Sequence, residues 1–272
     1  YGEARENPGA FIMAMTLYHG GPNGPSLTVL AALFETGADA DLKAIDLTKA
    51  ERHGAGVPRS VEVDMSIEGE GPVLVADGVA MADSVFIARF LNDVAKGSPI
   101  APTAPYARWE MMTWCRQIIE RTAPAAAYLG VEASLAGDLA GMDGKALDAM
   151  VAQIQSEDLK ARWTAARAGN FDDDKLEDSR AKIKAVLDKI EAKLAHGEDW
   201  LLGEFSIADL ETYAWVAGMR DVVPEAFADK PRAAAWLQRM KARPSVARAL
   251  GLAKSPAPEK VWAPGPEINR WG

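Results

Sequence analysis

The sequence predicts an α/β unit joined to an all-helical domain, and three observations predict it. From Met15 to about Ala95, short apolar runs of strand length alternate with helix-period segments in the order β-α-β, loop, β-β-α. Gly97 to Pro105, holding three prolines and a glycine, then breaks the chain. Beyond that break the apolar spacing is helical throughout, the pattern of an α-bundle.

Each element has a local reason. Met15-Thr-Leu-Tyr18 reads as the first strand, and Gly20-Gly-Pro-Asn-Gly-Pro25 ends it. The helix from Ser26 carries Leu27, Leu30, Leu33 and Phe34 on one face, with Gly37 as its C-terminal stop. Leu42 to Leu47 is a second strand. Glu51 to Ser66 has no clear period and holds Gly54, Gly56 and Pro58, so it reads as loop with at most a short helix. Pro72-Val-Leu-Val-Ala and Val79-Ala-Met-Ala flank Asp77-Gly78, the dipeptide that type I′ hairpin turns prefer. Asp83-Ser84 then precede a helix with apolar positions 86, 87, 90, 91 and 94.

Past the linker, helices are expected over Tyr106 to Tyr128, roughly Lys145 to Ala168, Asp174 to Ala195, Ser206 to Met219 and Pro231 to Ala242. The expected domains are therefore 15–96 and 106–252, joined by the linker 97–105. Residues 1–14 read as an arm outside the fold, and 253–272, with four prolines plus Trp262 and Trp271, as an irregular strap over the surface.

Composition excludes several function classes. Of 272 residues 49% are hydrophobic and 25% charged, an ordinary globular balance. Thirty basic against 39 acidic residues leave a net charge of −9, which argues against a nucleic-acid partner because phosphate neutralisation needs clustered Lys and Arg. One cysteine, Cys115, allows neither an intrachain disulfide nor a Cys-based zinc site, and three scattered histidines (His19, His53, His196) argue against a metal. No apolar run is long enough to span a membrane, and the lone thiol without a signal segment points to the cytoplasm.

Four short units carry the candidate chemistry. The Gly/Pro turn into Ser26 puts a helix N-terminus after a strand, where free N–H groups and the positive dipole end stabilise a thiolate or carboxylate, and the Ser26 hydroxyl would add a donor. Its plain structural reading is the N-cap of that helix. Gly71-Pro72 is either an ordinary strand entry or a cis bond that leaves the Gly71 backbone free to pair with an extended ligand. Asp83-Ser84 supplies a carboxylate for an ammonium group and a hydroxyl plus N–H groups for a carboxylate, the complement of an α-amino acid, or simply a cap. Ser206-Ile-Ala-Asp209 is a capping box by type, with a role in folding. No GxGxxG fingerprint is present.

The order of these units, with Trp200-Leu-Leu-Gly-Glu-Phe-Ser-Ile-Ala-Asp209 and Ala242-Arg-Pro-Ser-Val-Ala-Arg-Ala-Leu250, resembles the cytosolic glutathione S-transferases over residues 15 to 252. Within that family Leu17-Tyr18, the turn into Ser26-Leu27 and Ile45-Asp-Leu-Thr-Lys-Ala-Glu-Arg-His53 are most similar to the bacterial β-aryl etherases, which cleave lignin-derived diaromatic ethers. The resemblance implies a thioredoxin-like first domain, glutathione as co-substrate, and a homodimer or a heterodimer with a related subunit. It implies Ser26 and Asn23 as thiol-stabilising residues. It also implies Glu70, Gly71 and Pro72 against the cysteinyl backbone, Asp83 and Ser84 at the γ-glutamyl end, and His53 reaching the glycyl carboxylate.

An aromatic acceptor would lie between the turn and the helix from Tyr106, walled by Met111, Met112, Trp114 and Cys115, a stripe whose spacing also fits core. The chain departs from the subgroup in three places. Pro25 stands where Asn precedes the Ser, Gly71 where Val is usual, and Asp83 where Glu or Gln is usual. These departures define an alternative, a non-catalytic subunit that supports an active partner; a general detoxifying transferase is a third reading.

Overall fold

The computed structural model of the chain describes residues 14–58, 71–95 and 97–258. Most of the N-terminal arm, the loop through Ser66 and Glu70, and the tail with Trp262 and Trp271 lie outside those residues.

Strands β1 (Met15–His19), β2 (Asp41–Ala44), β3 (Val73–Ala76) and β4 (Val79–Met81) form one sheet in the order β2-β1-β3-β4. The β1–β2 pair is parallel, and β1–β3 and β3–β4 are antiparallel. Strand alternation sends Leu17 and Leu74 to one face, the main core, and Tyr18, Val73 and Val75 to the other, beside Val57. Asp77 and Gly78 take φ of 47° and 83°, as a type I′ hairpin requires. The second strand is shorter than its apolar run because Asp46 accepts from the Thr48 amide and opens a 3-10 turn at Leu47–Lys49.

Helix α1 (Gly24–Thr36) starts two residues before Ser26, with Asn23 at the N-cap and Gly37 closing it at φ 67°. Ser26 is thus inside the first turn and does not cap the helix. Although its sequence shows one apolar stripe, α1 is buried almost all round. It lies between the sheet, α2 (Ser84–Val94), and the later helices α9 (Ile207–Val216) and α11 (Pro244–Leu250).

The helical domain opens with α3 (Pro105–Gln117), α4 (Ala123–Gly130) and α5 (Ala136–Ala140), one continuous run in which Ile118–Thr122 and Val131–Leu135 widen to π turns. That run continues past the expected stop at Tyr128, because the wider turns accommodate residues that look like breakers, Pro124 and Gly130. Next come α6 (Gly144–Val151) and α7 (Glu157–Ala168), which the sequence reads as one helix. Ser156 separates them by accepting from the Leu159 amide at 3.2 Å. Helix α8 (Asp173–Lys193), α9, α10 (Pro231–Ala242) and α11 complete the bundle, around a core that includes Trp163, Trp215 and Trp236.

The capping box forms: Asp209 Oδ2 accepts from the Ser206 amide at 3.1 Å. Its Oδ1 also takes the Leu201 amide and the Trp236 indole N–H, each at 3.0 Å, so one carboxylate joins α9, α10 and the preceding loop. A second polar clamp joins the two halves. Glu35 of α1 receives Arg243 Nε at 2.9 Å, Arg243 Nη2 at 2.6 Å and the Ser245 hydroxyl at 2.6 Å. Arg243 in turn stacks on Phe205, 3.4 Å from the ring centroid.

Candidate active site

The turn from Gly20 to Asn23 delivers the chain from β1 into α1, and its hydrogen bonds explain its shape. Ser26 Oγ, 1% exposed, accepts from the Gly20 amide at 3.0 Å. With its lone pair engaged by an N–H, the hydroxyl is polarised as a donor, and it stands in the first turn of a helix with no acidic residue there. Those are conditions under which an anion is stabilised. His19, which ends β1, is buried beside this turn with Nδ1 2.8 Å from the Gly20 carbonyl. Burial lowers its pKa, partly offset by that carbonyl, so it is neutral near pH 7.

Register brings the second unit alongside. Tyr18 pairs with Val73, so the end of β1 lies beside Gly71-Pro72, whose peptide bond is cis. Leu47 packs between the two. A Cβ would lie 2.5 Å from it at Gly20 and 2.7 Å at Gly71. Gly71 is therefore matched to a leucine that already fills that space. Glu70 lies outside the described residues.

Asn23 is 3% exposed and donates through Nδ2 to the Pro258 carbonyl at 3.3 Å. The strap after α11 thus reaches the turn and covers it. His53 ends a 3-10 turn at Glu51–His53 on the loop after β2 and is half-buried.

The third unit is the N-terminus of α2. Asp83 has φ 70° and caps its own helix, Oδ1 accepting from the Val85 amide at 2.9 Å and the Phe86 amide at 3.2 Å. Ser84 turns its hydroxyl inward and donates to Glu211 Oε2 at 2.9 Å. Sequence reasoning passed over Glu211. Its signal is a lone Glu in the middle of α9, a helix whose ten residues are all buried. Glu211 Oε1 accepts from the Trp215 indole at 2.8 Å. Desolvation raises its pKa from 4.5 to about 7, with the Asp83 carboxylate adding to the rise and Trp215, Thr28 and Ser84 opposing it.

The four residues expected to wall an aromatic site do not face one space. Met111 is sealed in the core, and Cys115, fully buried, forms the floor of the cavity beside Met112. Trp114 donates to Thr212 at 2.9 Å and lines clefts toward α8. Met112 opens instead on that cavity of about 370 Å³, which it shares also with Asp83, Phe86 and Arg116. Burial pushes the Cys115 thiol well above its ordinary pKa, and the acidic Glu211, Asp209 and Asp83 add to this, so it is held as a neutral thiol.

Residues 151–244 match the glutathione S-transferase C-terminal domain. With a small four-stranded sheet domain ahead of that domain, the chain has the glutathione S-transferase fold. It is 25% identical over 245 residues to Protein LigF of Sphingobium sp. strain SYK-6, covering 86% of this chain and 92% of that one. The crystal structure of beta-etherase LigF from the same strain superposes with a TM-score of 0.77 at 24% identity, covering 88% and 99% of the two chains. A glutathione transferase family member from Pseudomonas fluorescens, solved with two glutathione bound, superposes at 0.62 with 19% identity, covering 89% and 95%. Among the described residues no helix is long and apolar enough to cross a membrane.

Proposed function

We propose that the chain is a glutathione transferase of the β-etherase kind, acting in the cytoplasm on lignin-derived β-aryl ether ketones. The observation that carries this reading is the Ser26 hydroxyl, buried in the first turn of α1, polarised by the Gly20 amide and facing the end of β1 beside Gly71-Pro72. The likeness to LigF supports the substrate class.

Ser26 donates to the glutathione sulfur and favours its thiolate, lowering a thiol pKa ordinarily about 8.5. The thiolate attacks the carbon that bears the aryloxy group next to the ketone. A C–S bond forms, the C–O bond breaks with its electron pair, and the phenolate takes a proton from water. A phenol of pKa about 10 leaves without a strong general acid, so orientation and thiolate stabilisation carry the step. Gly71 and Pro72 would hold the cysteinyl backbone, with Glu70 beside them and His53 toward the glycyl end. Asn23 supports the thiol turn, and Asp83 and Ser84 form the γ-glutamyl pocket. Of the acceptor-wall residues, Met112 and Cys115 border one cavity and Trp114 lines separate clefts toward α8.

The active form is a dimer through the face of β4, α2 and α3, where Val79, Phe86, Tyr106 and Trp109 are exposed large hydrophobics. A second copy of this chain is the expected partner, and a heterodimer with a related subunit is the other outcome that light scattering of the chain with and without its genomic neighbours distinguishes.

One observation favours a second reading, a subunit that supports an active partner. The Asp83 carboxylate and the Ser84 hydroxyl are both turned to contacts within the protein. The test is a glutathione-dependent assay on a β-aryl ether ketone with the wild type and Ser26→Ala. Loss of about 10²-fold or more in turnover is expected, the usual effect of removing a donor to a developing anion. Full activity of Ser26→Ala within a co-purified complex supports the second reading, and an unchanged melting temperature in millimolar glutathione overturns the first.

A further inference from the structure

The carboxyl of Glu211 is buried at the junction of three helices, with the Trp215 indole on Oε1, the Ser84 hydroxyl on Oε2 and the Thr28 hydroxyl beside it. Oε1 accepts from the Trp215 indole, a group that only donates, so this oxygen is an acceptor in every protonation state. The unprotonated oxygen of an acid is the better acceptor, so a proton on the carboxyl is favoured on Oε2, the oxygen that faces Ser84. The Ser84 hydroxyl can point either way. Against the carboxylate it donates inward. Against the acid it accepts from Oε2–H, and its own proton is released toward the mouth of the α2 N-terminus.

That release matters because the Val85 and Phe86 amides of this helix end are already taken by Asp83 Oδ1. A ligand carboxylate arriving there finds the Ser84 hydroxyl as its remaining side-chain donor. Resting on the reading of this place as the γ-glutamyl pocket, we propose that Glu211 is a positioning residue for glutathione. Its acid form turns Ser84 outward to bind the γ-glutamyl carboxylate, and binding takes up one proton.

The surroundings favour such a proton near neutrality. The groups that face Glu211 are the Asp83 carboxylate and Ser84 hydroxyl from the start of α2, the Cys115 thiol from α3, the Thr28 hydroxyl from α1 and the Trp215 indole on its own helix. Burial and Asp83 hold its pKa at about 7. Affinity follows the acid fraction, so it is full near pH 6 and about tenfold weaker at pH 8.

The test is calorimetric binding of S-methylglutathione, whose capped thiol does not titrate, to the full chain at pH 6, 7 and 8. Buffers of different ionisation enthalpy count the protons. The wild type should lose about tenfold in affinity from pH 6 to 8 and take up close to one proton at pH 8. In Glu211→Gln the Trp215 indole fixes the amide oxygen on its own side, leaving the NH2 to donate to Ser84. This variant should bind at the wild-type pH 6 strength throughout, without proton uptake. Ser84→Ala should bind weakly at every pH.

Binding by the wild type that neither varies with pH nor takes up a proton overturns the proposal, and this measurement needs no variant. A Glu211→Gln protein that keeps the wild-type pH slope overturns it too. Absence of binding at every pH instead overturns the glutathione reading itself, and this proposal with it.

Discussion

Replacing Glu211 by Gln should stabilise the unliganded protein, and the size of the effect follows from the carboxyl's proton affinity. Burial raises its pKa from 4.5 to about 7. At about 1.4 kcal/mol per tenfold change, ionising it inside the fold costs about 3 kcal/mol more than ionising it in the unfolded chain. Because the folded value is the higher one, the stabilising contribution is complete below pH 4.5 and is lost as pH rises through about 7. Glu211→Gln keeps an acceptor for Trp215 and a donor for Ser84 but carries no charge. Its stability should match the wild type at pH 4 and exceed it by about 3 kcal/mol at pH 8, or roughly 6–12 °C in melting temperature for a chain of this size. Thermal melts and urea titrations at the two pH values measure this. Equal stability at pH 8, or a variant weaker at both, refutes the reasoning that the buried charge is what costs.

The other predictions follow from groups of different design. Asp209 is likewise raised, to about 6, by burial. Its two oxygens nevertheless receive the fixed Leu201, Ser206 and Trp236 donors, so Asp209→Asn turns an NH2 against an N–H. That variant should lose about 2 kcal/mol or more in urea titration even though a charge is removed. Burial would raise the Glu35 pKa, but the Arg243 and Ser245 hydrogen bonds and the Arg243 charge outweigh it and hold it below 4.5. Its contribution is present above pH 4.5 and lost as pH falls through its lowered folded pKa, and Glu35→Ala should cost about 2 kcal/mol at pH 7, with the pair partly exposed, and progressively less in acid. Cys115 should resist iodoacetamide in the native protein and react once unfolded in urea, read by mass spectrometry. Asn23→Ala removes the donor to the Pro258 carbonyl and should speed limited proteolysis within residues 251–258.

Much of this was legible in the sequence, and the reason is local. Gly37, Asp77-Gly78 and Ser206-Ile-Ala-Asp209 specify backbone conformations or caps that few other residues satisfy, so each signal survives without tertiary context. The turn into Ser26 was visible for the same reason. What escaped depends on neighbours distant in the chain. The π turns that carry α3 into α5 are set by packing, and the all-round burial of α1 by helices at residues 207–250.

Asp83 shows the limit most clearly. Its type predicts a carboxylate for a ligand ammonium, and one methylene less than Glu suggests only a longer contact. In the fold the short side chain bends back and caps α2. The donor inventory of the proposed γ-glutamyl pocket then falls on the Ser84 hydroxyl, which contacts a residue 127 positions away. The substitution at Asp83 and the unusual Glu in α9 therefore belong to one arrangement. If that is so, Asp83→Glu, whose longer side chain frees the Val85 and Phe86 amides, should relieve the dependence of S-methylglutathione binding on Glu211. The double variant Asp83→Glu, Glu211→Gln should then gain less in affinity at pH 8 than the two single changes summed. Strict additivity in that cycle would mean that the two positions act separately.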